Sequence, residues 1–282
     1  MAISAADVKK LREMTGAGPL ECKKALEETN GDFKDAEKRL KEKGLAAVEK
    51  RSDRAANEGK IFVKARANTA ALAEVTTETD FVARNPDFAA LGEAITDTVL
   101  AKGYTDIQPD LTALVADLAA KIGENMNLKR IKLVKAEAGE YLAHYIHGDG
   151  AIGVVVKLGA DKPETLEKDD LRDFAHNIAL HIAAFSPSAL DKTRLDPAFI
   201  TEQTELFRKQ MEQDESLRGK TPQVLEGILK GRMKKHLAEI CLMDQSYVKD
   251  DSLTVSQALA DCGKRLGDAV TVRDYVYFKV GQ

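Results

Sequence analysis

Twice in this chain a pair of alternating apolar and polar segments leads into a helix with one apolar stripe. The first passage is 60–66 (KIFVKAR) and 71–77 (ALAEVTT), turning at Asn68-Thr69. A helix over 87–101 follows, striped by Phe88, Leu91, Ile95 and Val99. The second passage is 141–147 and 152–158, followed by a helix over 171–185 striped by Phe174, Ile178 and Ile182. A period of two beside a period of 3.6 restricts each passage to a small sheet backed by a helix. The chain therefore reads as α+β, with two related α+β subdomains from one duplicated plan. The first copy adds a helix over 111–122 and a strand over 128–134, and a strand over 269–280 closes the second.

Residues 1–54 follow a different pattern. Ser4 and Asp7 form a capping box ahead of Val8, Leu11 and Met14. The run Thr15-Gly16-Ala17-Gly18 ends that helix, and Pro19 opens a second one, with Leu20, Ala25 and Leu26, that stops at Asn30-Gly31. Asp32 caps a third with Phe33, Ala36 and Leu40 facing inward, and Gly44 marks its end before a polar connector over 45–54. The boundaries expected are a helical unit over 1–54, a first core subdomain over 55–140 and a second over 141–282. The second subdomain carries an inserted antiparallel helical hairpin at about 188–238. Asp196-Pro197 and Thr221-Pro222 cap its helices. Phe199, Leu206, Phe207 and Met211 of one face Leu225, Ile228, Leu229 and Met233 of the other. Self-packing explains that face, and a projecting hairpin also leaves homodimerisation open.

Composition excludes several classes of function. A net charge of −4 and a pI near 5.9 argue against binding nucleic-acid phosphates directly. Cys22, Cys241 and Cys262 are sparse, odd in number and without a CxxC pair, as in a reducing compartment. No apolar run reaches membrane-spanning length, and the first residues lack a signal-peptide core, so a soluble cytoplasmic protein is expected.

Familiar motifs fail on their context. Gly148-Asp149-Gly150-Ala151-Ile152-Gly153 matches GxGxxG, but it leads into a strand of valines instead of a helix, so it makes a hairpin turn. Gly219-Lys220-Thr221 resembles the end of a P-loop, yet it joins two helices and position 214 is Asp. His144 and His147 point to opposite faces of a strand, and His176 and His181 are badly spaced for chelation on a helix. His181 and His236 read as structural or exposed. There is no HExxH or GxSxG, so no enzyme, no cofactor and no metal site is expected. Basic residues at 129, 130, 132 and 135, and the run 230–235, read as solvated faces. Thr79-Asp80-Phe81-Val82 stands apart, because a Phe between a strand and a helix either tucks into the core or is kept for a partner.

The run Thr15-Gly-Ala-Gly-Pro-Leu-Glu-Cys-Lys-Lys-Ala-Leu26 resembles the opening signature of the elongation factor Ts family. Glu78-Thr-Asp-Phe-Val-Ala83, Ala120-Lys-Ile-Gly-Glu-Asn125, Tyr145-Ile-His-Gly148 and His181-Ile-Ala-Ala184 are similar to that family too, in the same order. The resemblance implies a ubiquitin-associated-like three-helix domain before the two subdomains, and guanine-nucleotide exchange on elongation factor Tu in translation. It implies that Thr79, Asp80, Phe81 and Val82 disturb the partner's magnesium site, with Phe81 as the wedge. Arg12, Leu20 and Lys23 would grip the same partner domain from another side, and His147 and Gly148 would add a contact from the second subdomain. The hairpin would serve dimerisation. A scaffold without exchange activity, using the bundle and the hairpin, is the competing expectation.

Overall fold

The computed structural model describes residues 3–282 in two compact units. The first runs to Lys135 and takes in Ile146–Gly153 and Phe278–Gln282; the second is Ala136–Tyr145 with Val154–Tyr277.

The first unit opens with α1 (Ala5–Thr15), α2 (Pro19–Glu28) and α3 (Phe33–Glu49). Ser4 and Asp7 form the expected capping box, Gly16 ends α1 at φ 71°, and Asp32 caps α3 by accepting from the Asp35 N–H at 2.9 Å. Leu11, Cys22, Ala25, Leu26 and Ala36 make a small core of their own. Then come β1 (Glu58–Arg66), β2 (Thr69–Thr77), α4 (Asp80–Ala83), α5 (Pro86–Lys102), α6 (Pro109–Ile122) and β3 (Met126–Lys135). The sheet order is β1-β2-β3 and both pairings are antiparallel. Phe88, Leu91, Ile95 and Val99 of α5 and Leu111, Val115 and Ala119 of α6 are buried in one cluster with alternate residues of β2.

Three expectations need correction here. Gly44 does not end α3, which passes through it to Glu49. A Cβ at Gly44 would lie 2.9 Å from the Ala120 Cβ, so the glycine lets α3 cross α6 closely. The β1–β2 turn is Ala67-Asn68, because Arg66 pairs with Thr69 and Ala67 takes the left-handed conformation at φ 51°. Arg130 is not simply solvated. Its Nε donates at 2.6 Å to Glu74, a carboxylate only 2% exposed, its Nη2 donates at 3.1 Å to the Lys279 carbonyl, and its guanidinium lies 4.0 Å from the Phe278 ring centre. The Gly281 N–H donates to the same Glu74 carboxylate at 2.9 Å, so this buried charge is fully paired.

The second unit contains β4 (Glu140–His147), β5 (Ile152–Ala160), α7 (Asp169–Phe185), α8 (Pro197–Gln213), α9 (Pro222–Ile240), β6 (Ser246–Tyr247), β7 (Asp250–Thr254), α10 (Val255–Leu266) and β8 (Val270–Lys279). The tips of β4, β5 and β8 are the segments counted with the first unit. The sheet order β4-β5-β8 repeats the plan of hairpin, helices and third strand. The stretch 241–268, for which the sequence expectations name no element, holds β6, β7 and α10. Its signals were present: Thr254 and Gln257 form a capping box, Val255, Leu259, Cys262 and Leu266 are buried, and Gly267 ends the helix at φ 67°.

In the hairpin of α8 and α9, Met211, Leu217 and Leu229 are buried, with Phe207, Leu225 and Ile228 packed around them. Leu206, expected on this face, is 45% exposed, because it lies one residue and about 100° around the helix from Phe207. The three cysteines are free and buried. Among the described residues no helix is long and apolar enough to cross a membrane.

Candidate functional site

The segment around Phe81 is a turn of helix instead of a loop. Thr79 precedes α4 in extended conformation, and its Oγ1 accepts from the Val82 N–H at 3.4 Å. Ala83 and Arg84 donate backbone N–H groups to the Thr79 and Asp80 carbonyls at 3.2 and 3.1 Å. Successive helical residues lie about 100° apart, so Val82 and Ala83 turn inward while Phe81 turns out. Val82 is 8% exposed and joins the core, whereas Phe81 is 83% exposed. Of the two fates the sequence allowed for Phe81, the structure excludes burial in the chain's own core.

Asp80 bonds with Arg84 at 3.2 Å, four residues on and exposed. Arg84 also bears on the glycine turn that follows His147. Gly148, Asp149 and Gly150 take φ values of 59°, 53° and 96°, a left-handed run that glycine makes inexpensive. The turn docks on β1, where the Ile61 N–H donates to the Gly150 carbonyl at 2.7 Å and Lys60 Nζ donates to Asp149 at 2.8 Å. That Lys60 bond is the main reason the Asp149 carboxyl is held below its usual range, and the charge of Arg84 adds to it. Arg84 therefore pairs with Asp80 and also adds its positive charge to the field on Asp149 in the turn after His147. His147 and Gly148 are both exposed.

Arg12, Leu20 and Lys23 belong to α1 and α2 and enter the same unit by a separate route. Leu20 follows Pro19 in the first turn of α2 and is 82% exposed; Lys23 pairs with Glu27 at 3.7 Å; Arg12 lies in the last turn of α1. The three-helix bundle that carries them is fastened through α3 on α6, with Lys41 bonded to Asp117 at 3.0 Å beside the Gly44 crossing.

Glu124 carries no role expected from sequence, although it lies within the family-like stretch Ala120–Asn125. Its carboxylate accepts from Thr77 Oγ1 at 2.9 Å, the Thr79 N–H at 3.1 Å and Thr79 Oγ1 at 2.8 Å. The only signal was its place just past Gly123, which ends α6 at φ 88°. Among the described residues, no group of three or more His, Cys, Asp or Glu is placed to hold a metal. The site presents an exposed aromatic on a pinned turn, with charged groups around it.

The family model described as Elongation factor TS matches residues 78–282, which begin just before this turn. Curated relatives extend the likeness over the whole chain. It is 49% identical to elongation factor Ts of Treponema denticola over 281 residues, covering 100% of this chain and 99% of that protein. It is 42% identical to elongation factor Ts of Treponema pallidum (strain Nichols) over 292 residues, with coverage of 100% and 99%. Against elongation factor Ts of Bdellovibrio bacteriovorus it is 40% identical over 292 residues, with coverage of 100% and 93%. The chain belongs to the elongation factor Ts family, the translation elongation factors of that name.

Proposed function

We propose that the chain is a guanine-nucleotide exchange factor that binds elongation factor Tu in its GDP-bound form, disturbs its magnesium site and promotes GDP release. The observation that carries this reading is Phe81, 83% exposed on a turn whose neighbours Val82 and Ala83 are buried. A large aromatic held in water by its own fold gains only when a partner covers it, and full burial stabilises the complex by roughly 2–3 kcal/mol. Mg²⁺ neutralises charge on bound phosphates, so a wedge that displaces it weakens GDP binding. By linkage, a factor that prefers the nucleotide-free partner lowers GDP affinity by that same preference. Asp80 and Arg84 flank the wedge and offer both signs of charge to the partner. Leu20, Arg12 and Lys23 supply a second grip, and His147 and Gly148 a third. No bond is made or broken in the nucleotide in this reading, so the chain acts as a factor and not as an enzyme, and its place is with translation in the cytoplasm.

Release of a fluorescent GDP from purified elongation factor Tu tests this. Acceleration by the chain, lost in Phe81→Ala while the variant stays folded, supports the wedge. No acceleration at stoichiometric chain rejects exchange in favour of a scaffold. A homodimer through α8 and α9 is favoured by Leu206 and Val224, 45% and 47% exposed on that hairpin. Sedimentation should then give a dimer mass that Leu206→Arg returns to monomer; a monomeric unsubstituted chain rejects it.

A further inference from the structure

Glu124 and Asn125 lie between the end of α6 and the start of β3, and their bonds reach toward both exposed apolar side chains. The three bonds accepted by the Glu124 carboxylate hold Thr77 and Thr79, the residues that lead into α4. Asn125 is 3% exposed. Its N–H donates to Glu78 at 2.6 Å, and its Nδ2 donates to the carbonyls of Ser52 and Arg54 at 3.1 and 2.6 Å. Ser52 and Arg54 belong to the connector that follows the three-helix bundle. Arg54 Nη1 also reaches Glu78 at 3.5 Å.

The geometry points to Glu124-Asn125 as the positioning element of the exchange surface. Glu124 holds the turn from which Phe81 projects, and Asn125 holds the connector behind the bundle that presents Leu20. The pair thus sets how two separate apolar contacts are offered to one partner. This inference rests on the exchange reading above.

The physical need is specific. A helix of four residues cannot hold itself, because fixing its first turn consumes more order than its few bonds return. The cap bond of Thr79 is long at 3.4 Å, so the order of α4 must come from outside it. Burial of Val82 and Ala83 fixes one side, and Glu124 fixes the start. If Glu124 is removed, Phe81 must be ordered during the encounter itself, and that lost preorganisation falls on the rate of GDP release. If Asn125 is removed, the connector loosens and the effective concentration of the bundle's contact falls, which falls on affinity.

Two measurements on the full chain test this. In Glu124→Ala, amide exchange over 80–84 should rise and the maximal rate of GDP release should fall, each by about tenfold, and the melting temperature should fall by a few degrees because the buried Thr77 hydroxyl loses its acceptor. Glu124→Gln, which keeps an acceptor for Thr79, should recover most of both. Asn125→Ala should instead raise the concentration of chain needed for half-maximal release. In a Phe81→Ala background, Glu124→Ala should add no further loss, since it acts through Phe81. Unchanged amide exchange in α4, an unchanged maximal rate, or additive losses would overturn the inference. Should Glu124→Ala unfold, Thr79→Val carries the comparison: it removes the hydroxyl bond to Glu124 while Thr77 stays paired, and it should raise amide exchange over 80–84 and lower the maximal rate in the same direction. A chain that accelerates release equally with and without Glu124 overturns this inference alone, while an unsubstituted chain without effect on release overturns the exchange reading and this inference with it.

Discussion

Phe81 and Val82 are adjacent apolar residues with opposite fates, and only the pitch of α4 separates them. The sequence marked Phe81 as out of place but left its direction open, because a residue between two elements can turn either way. The short helix decides: 100° of rotation puts Val82 in the core and Phe81 in water. Phe81→Ala should therefore change unfolding free energy in urea by no more than about 0.5 kcal/mol. It should slow partner GDP release by roughly 30- to 150-fold, the rate equivalent of the wedge's lost burial. A large loss of stability would return Phe81 to the core and remove it as a wedge. Glu124 was beyond sequence reasoning for a plain reason: a Glu after a helix reads as a solvated charge until the chain folds back to bring Thr77 and Thr79 against it.

Among the elements, helices were legible wherever a cap and a stripe agreed. Ser4 with Asp7, Asn85 with Pro86, and Asp196 with Pro197 begin helices as their chemistry requires. Gly44 misleads, because a gap needed for packing looks in sequence like a helix stop. Gly92 meets the same packing need inside α5, a helix whose stripe is read through it without a break. A Cβ at Gly92 would fall 2.2 Å from the Phe62 ring, which itself packs near Phe88 with ring centres 5.9 Å apart. Gly92→Ala gains about 1 kcal/mol of helix propensity, yet it forces a core aromatic to move. The expected net is a destabilisation of about 2 kcal/mol in urea unfolding. A stabilised variant would mean that Phe62 can swing aside freely. α10 differs in kind, since its Thr254–Gln257 cap and its apolar stripe are local and legible in the sequence.

At the level of the whole molecule, pH dependence exposes a network that no motif announced. His181 is fully buried on α7, with Nε2 facing the Gln245 side-chain oxygen at 2.9 Å and Nδ1 accepting from the Val248 N–H at 3.2 Å. That pattern assigns the proton to Nε2 and leaves Nδ1 unable to take another without losing a bond. Burial lowers the pKa of His181, while the Gln245 bond opposes the shift. A folded pKa below the unfolded one means that the unfolded chain binds more protons, so stability is complete above about pH 6.5 and declines as pH falls from there. Thermal unfolding from pH 7.5 to 5 should show this decline, and His181→Gln should flatten it; an unchanged slope would remove His181 as its source. By itself, the sequence determined the long helices and the hairpin strands, the duplicated α+β plan, the exposed-or-buried dilemma of one Phe and the family likeness, because periodicity, caps and ordered motifs are local in the chain. Only tertiary structure decided that Arg130 neutralises Glu74, that Lys60 bonds to Asp149, and that Glu124 holds the Phe81 turn. Those contacts join residues far apart in sequence, and nothing local distinguishes a charge that will find a partner from one that stays in water.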